Sequence, residues 1–178
     1  MGVMGMVVVL LAQAQPLPGS SAPEPTPTPA LAVPVETTLP ASIEVRNDMG
    51  KRFKLVEARV VMDGQELSHR VAAKGQELEQ QFRAYDGAVS PGSHQVTVNL
   101  VYEGRNTGIF TYLDDYKIRV QSSAEFTAQD RAHPVALQVL AYERSGITIP
   151  IEQKPTMEIK PSPGSPPLAG FKAATPLR

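Results

Sequence analysis

The chain has no cysteine and no tryptophan among its 178 residues. Without cysteine there are no disulfide staples, no thiolate metal ligands, no cysteine nucleophile and no lipid-modified N-terminal cysteine. Whatever folds must therefore be held by an apolar core. An excess of one charge is missing too. Lys and Arg number 17 against 18 Asp and Glu, for a net charge of −1, and no basic run is longer than Lys51-Arg52. Displacing counterions from a nucleic acid or an anionic membrane takes a concentrated basic patch, so no nucleic-acid partner is expected. Long apolar runs are also absent. The longest, Val3 to Ala14, falls well short of the roughly 20 residues that cross a bilayer, so no membrane span is expected.

Proline is plentiful, and its distribution lays out the chain. Eight of the 17 prolines lie in the first 40 residues and five in the last 18, leaving Pro91, Pro134, Pro150 and Pro155 for the 120 residues between. The apolar run ends in Ala12-Gln13-Ala14, the small-x-small pattern of a signal-peptidase site, so residues 1–14 read as a secretory signal peptide. No Lys or Arg precedes the run, which leaves its positive charge to the N-terminal amine or to residues upstream. A buried strand is the other reading of Val7-Val8-Val9-Leu10-Leu11, and a proline tract directly after it makes that the poorer account. In residues 15–41, Pro23, Pro25, Pro27 and Pro29 alternate with Glu and Thr. Each fixes φ and removes a donor, which predicts an extended spacer of polyproline-II type. Residues 161–178, with Ser162-Pro163-Gly164-Ser165-Pro166-Pro167, read as a disordered tail.

Residues 42–160 read as one domain of strands, because apolar and polar residues alternate between turn signals. Ile43 and Val45 open a strand. Val56, Ala58, Val60 and Met62 share one face, with Glu57 and Arg59 on the other, and Asp63-Gly64 closes a hairpin. Leu67, Val71, Leu78 and Phe82 fit two short strands or a strand and a helical turn. Val96, Val98, Leu100 and Tyr102 line one face of the clearest strand. Further strands are expected over Ile109–Leu113, Tyr116–Val120 and Val135–Ala141. Ile147, Ile149 and Ile151 make a last strand, which Pro150 places at an edge. Seven to nine strands with polar outer faces predict an all-β antiparallel sandwich.

One segment carries a family likeness. Val89-Ser90-Pro91-Gly92-Ser93-His94-Gln95-Val96-Thr97-Val98 resembles the turn and strand of bacterial extracytoplasmic immunoglobulin-like, fibronectin-like and PEGA-type domains, and Val60-Val61-Met62-Asp63-Gly64 resembles their earlier hairpin. The likeness covers about 40 of the 178 residues. It implies an immunoglobulin-like sandwich, a periplasmic or secreted setting, and a binding or scaffold role. It also implies that His94 packs and bonds to nearby backbone.

Recognisable chemistry is lacking. His69, His94 and His133 show no metal-ligand spacing, and Asp114-Asp115 lacks the D-x-[DN]-x-[DN]-G loop of a calcium site. No G-x-S-x-G elbow and no phosphate-cradling glycine loop is present. The proline-rich spacers resemble the linkers of dihydrolipoamide acyltransferases. The lipoyl D-K-A hairpin and the H-x-x-x-D-G motif of that family are missing, since Ala73 precedes Lys74 and no histidine has Asp-Gly four residues on. We therefore expect no catalytic residue, metal or cofactor. The expectation is a non-enzymatic exported protein that binds another envelope protein through an exposed edge strand, Thr148–Ile151 or Met157–Lys160. Candidate surface residues are Tyr112, Tyr116, Ile149 and Ile151, and a glycan-stacking surface built on the tyrosines is the alternative.

Overall fold

The computed structural model describes residues 38–105 and 116–174. Nine strands run through them in chain order: β1 Leu39–Asp48, β2 Phe53–Met62, β3 Gln65–Val71, β4 Gln81–Val89, β5 Gly92–Gly104, β6 Lys117–Ala128, β7 Val135–Glu143, β8 Pro155–Pro161 and β9 Ala169–Ala173. One 3-10 turn, Ile151–Gln153, precedes β8. Among the described residues no helix is long and apolar enough to cross a membrane.

The strands form two sheets, ordered β4-β1-β7-β8 and β3-β2-β5-β6-β9. Period-two alternation gives each sheet one apolar face, and the two apolar faces pack into one core. Ile43 and Val45 from β1, Leu137 and Val139 from β7 and Met157 from β8 meet Leu55, Val60, Val98, Leu100 and Phe126 from the other sheet, all buried. Each such side chain contributes about 1.5–3 kcal/mol by leaving water. The chain is an all-β sandwich, and its pairing is antiparallel with one exception. β1 lies parallel to β7 over eight residue pairs, from Ala41↔Val135 to Asp48↔Tyr142.

Turn chemistry sets the registers. Met62 pairs with Gln65, so Asp63 and Gly64 are the whole β2–β3 loop. Both have positive φ, +50° and +82°, the backbone of a type I′ hairpin, which Asp-Gly adopts at little cost. The segment 65–82 resolves in favour of two strands: β3, then a turn at Lys74-Gly75, then the start of β4.

Four sequence expectations need correction. Val56 does not share the inner face with Ala58, Val60 and Met62. The β2–β5 register slips between Leu55 and Glu57, and the extra residue of this bulge flips the strand's parity. Leu55 is buried, and Val56 is only partly so. Residues Ile147–Ile151 form no strand. Pro150 supplies no N–H, and Ile147 is fully exposed, with no core face to bury against. The domain begins at Leu39, inside the segment read as a spacer, with Leu39 buried against the end of β4. Finally, the segment read as a C-terminal tail contributes β9, which pairs with β6 and follows a buried Leu168. The expected strand Ile109–Leu113, and Tyr112 with it, lie outside the described residues.

Candidate functional site

Tyr116, at the foot of β6, is half exposed. Ile151 begins the 3-10 turn and packs on the core, and Ile149 is partly buried in the loop before it. Across a groove from Tyr116 lie Glu152, Gln153 and Pro155, with Ile118 and Val120 as its floor. Charge holds the far wall in place. Glu143, at the end of β7, lies 2.5 Å from Arg52 and 3.8 Å from Lys154, and Arg144 N donates to Lys154 O. At about 240 Å³ the groove is smaller than sites that enclose a drug-sized molecule, roughly 300–1,000 Å³. It suits one or two side chains of an extended chain.

A sandwich has edges, and a strand edge is a template for another strand unless it is blocked. Most edges here are blocked. On one side Arg70, from β3, lays its guanidinium over the Phe82 ring at 4.7 Å and donates to Arg83 O of β4. The edge strand β8 is bracketed by Pro155 and Pro161, so Met157–Lys160 is a short edge with its inner residues Met157 and Ile159 buried. β9 is five residues long, and Gly170 (φ +63°) breaks its register against β6.

Among the described residues β9 covers only part of β6. β9 pairs with β6 between Ala124 and Thr127, and Ala174 N donates to Ser123 O at 2.8 Å. Along an antiparallel strand the N–H and C=O of one residue point to the same side, and the side alternates. Ser123 faces β9, so Gln121 and Arg119 present their backbone groups on that same outer edge. Among the described residues no strand meets them. This open edge lies beside the groove.

The other concentrated polar contact lies at the opposite end of the sandwich. Asp63 Oδ1 accepts from Gln95 N at 2.8 Å, and Oδ2 lies 2.6 Å from His94 Nδ1. His94 Nε2 donates to Ser90 O at 2.8 Å, and the ring lies 5.6 Å from that of Phe126. A carboxylate and a carbonyl can only accept, so both ring nitrogens donate and the favoured state is the imidazolium. Such a ring has no lone pair for a metal or for general-base work. Burial pulls His94 down, but its bonds to Asp63 and Ser90 outweigh this and its pKa is raised. For Asp63 burial acts upward, and the bonds from Gln95 and His94 outweigh it, so the pKa is lowered.

The signs define a window. His94 stabilises fully below its unfolded value, about 6.5, and that contribution is lost as pH rises through the raised folded value. Asp63 stabilises above about 3.9 and loses its contribution as pH falls through the lowered value. Urea midpoints for the wild type should therefore peak between about pH 4 and 6.5 relative to Asp63→Asn. Parallel pH profiles for the two proteins would show that the pair contributes nothing.

Of the sequence candidates, the structure places Tyr116 on the groove and Ile151 at the start of the turn that walls it, while Ile149 stays outside. Among the described tyrosines only Tyr116 is exposed. Tyr102 is buried, and the Tyr85 and Tyr142 hydroxyls bond to Ala88 O and Glu158. A glycan-stacking surface thus finds no second exposed tyrosine face there. Sequence reasoning missed the half-open edge of β6, because it depends on where β9 stops. Comparison with protein-family models, curated proteins and solved structures returned no match.

Proposed function

We propose that the chain is a non-enzymatic, extracytoplasmic docking module that captures an extended segment of another envelope protein by strand addition. One observation carries this reading: the outer edge of β6 from Lys117 to Gln121 lacks a strand partner among the described residues, beside an apolar-floored groove. The apolar run ending at Ala14 and the likeness of Val89–Val98 to extracytoplasmic sandwich domains support the setting. The His94 ring, both nitrogens committed, argues against catalysis at the most polar contact of the fold.

Gln121→Pro tests the reading. Its N–H points outward, so proline removes a docking donor without removing a bond to β5, as edge positions tolerate. The wild-type chain, immobilised, should retain a partner from envelope extract, and the variant should lose it while its urea midpoint barely moves. Retention by the variant would place docking elsewhere. A blank with folded wild type would end the proposal.

A further inference from the structure

His94 holds two turns at once, which a neutral histidine cannot do. Its Nδ1 lies 2.6 Å from Asp63 Oδ2 and its Nε2 2.8 Å from Ser90 O. Asp63 belongs to the β2–β3 hairpin turn. Ser90 belongs to the turn Ser90-Pro91, which carries the chain from β4 in one sheet to β5 in the other. Imidazolium has a donor for each acceptor. Neutral imidazole has one N–H and one lone pair, so one of the two bonds must fail.

The acceptors decide which. A bond to a carboxylate is about twice as strong as one to a neutral carbonyl. Asp63 is also fixed to β5, where its Oδ1 accepts from Gln95 N at 2.8 Å and its own N–H donates to Gln95 O at 2.9 Å. The remaining proton therefore stays on Nδ1. The Nε2 proton leaves to water, and the lone pair it uncovers faces those of Ser90 O. The His94 side chain is only 9% exposed and its ring lies against Phe126, so the ring holds its place. Ser90 is exposed, and its carbonyl can swing out to water. Gly92, at φ +132°, follows the turn and gives it a hinge.

The other charged and titratable groups around the ring bear on it less directly. Of those lining the recesses on its two sides, Glu66 on β3 is held by Arg59 at 2.8 Å, and Tyr85 on β4 donates to Ala88 O. Glu125 on β6 stands opposite Lys172 on β9. His69 and His133 differ in kind. Each meets a carboxylate, Glu57 or Asp130, through one ring nitrogen, and among the described residues the second nitrogen has no partner. Losing a proton leaves their single bond in place.

We infer that His94 is a pH-operated latch: doubly protonated, it clamps the β4–β5 turn to the β2–β3 hairpin, and on losing the Nε2 proton it releases Ser90 while keeping Asp63. The raised folded value puts release above about pH 6.5. Val89, beside the turn, pairs with Leu39, so the latch acts on the anchored end of β1. This device stands apart from the docking reading.

Two variants should hold the latch in its two states. Asn places an amide where Nδ1 stands, so His94→Asn keeps a donor for Asp63 and has none for Ser90. Gln places one where Nε2 stands, so His94→Gln keeps the donor for Ser90 and loses the other. NMR on the full chain from pH 5 to 9 reads the ring nitrogens and the turn together. In the wild type Nε2 should lose its proton while Nδ1 keeps it. The Ser90 carbonyl and Gly92 amide shifts should move with the same midpoint, and the Asp63 and Gln95 amides should keep their exchange protection. The turn shifts of His94→Asn should sit at the alkaline position at every pH, and those of His94→Gln at the acid one. Loss of the Nδ1 proton first, or of protection at Asp63 and Gln95, would overturn the latch. So would turn shifts that stay flat through the His94 titration, a ring still doubly protonated at pH 9, or folded variants that share one turn position. If either variant fails to fold, the wild-type titration alone decides.

Discussion

Tyr102→Ala should be the most destabilising single substitution proposed for this chain, at about 3–5 kcal/mol, the range for truncating a large buried aromatic. Tyr102 has no exposed surface. It sits on β5 between Leu55 and Ile118 in the ladder, and its hydroxyl reaches across the sandwich to Asn47 Oδ1 at 3.1 Å. Burial alone raises its phenol pKa, so the group stays neutral and donates at any working pH. Tyr102→Phe separates the two contributions. It keeps the ring and loses one neutral hydrogen bond, worth about 1 kcal/mol. Asn47 is only partly buried, so water can replace the lost donor. With a urea slope of about 2 kcal/mol/M, the alanine midpoint should drop by about 2 M and the phenylalanine midpoint by about 0.5 M. Equal drops would mean that the hydroxyl, and not the ring, ties the sheets together.

Removing residues 162–178 should lower stability by about 3 kcal/mol, from the lost burial of Leu168 and part of Phe171, and should make the domain self-associate. Leu168 is buried, and Phe171 packs against the core from β9. Without them the whole outer edge of β6 is open, and an uncovered edge recruits other strands. Urea unfolding and sedimentation at two protein concentrations measure both effects. If the truncated chain unfolds at the wild-type midpoint as a monomer, β9 has no part in holding the fold.

These experiments bear on what the sequence made legible. The alternation Val96-Val98-Leu100-Tyr102 is unbroken, and the strand it predicts is the best-paired in the structure, flanked by β2 and β6 along its length. Asp63-Gly64 announces its own backbone geometry, because few dipeptides suit two consecutive positive φ values. β9 was hidden by composition: Leu168-Ala169-Gly170-Phe171-Lys172 is short, carries a glycine and follows Pro166-Pro167. Its stability comes from pairing with β6 and from setting Leu168 and Phe171 against the core, which local propensity does not reveal. Ile147-Thr148-Ile149-Pro150-Ile151 misleads in the opposite sense. The alternation is clear, but both sheets already end elsewhere and no ladder offers it a partner. For the candidate site, Tyr116 was legible as an outward aromatic. The open edge beside it was not, because a register is a property of two strands and only one was recognised.

The parallel pairing of β1 with β7 bears on how the domain carries load. The chain enters at Leu39, at the end of the sandwich that also holds the Asp63-Gly64 turn, and β1 is held on one side by β4 and on the other by β7 over eight pairs. Tyr116 and the groove lie at the far end, beyond the ends of β5 and β1. A pull applied at Leu39 and opposed at the foot of β6 therefore runs along the axis of β1 and not across it. The bonds to β4 stand broadside to β1 and those to β7 are slanted, but both rows run along its length, so such a pull loads them together in shear and does not open them one at a time from an end.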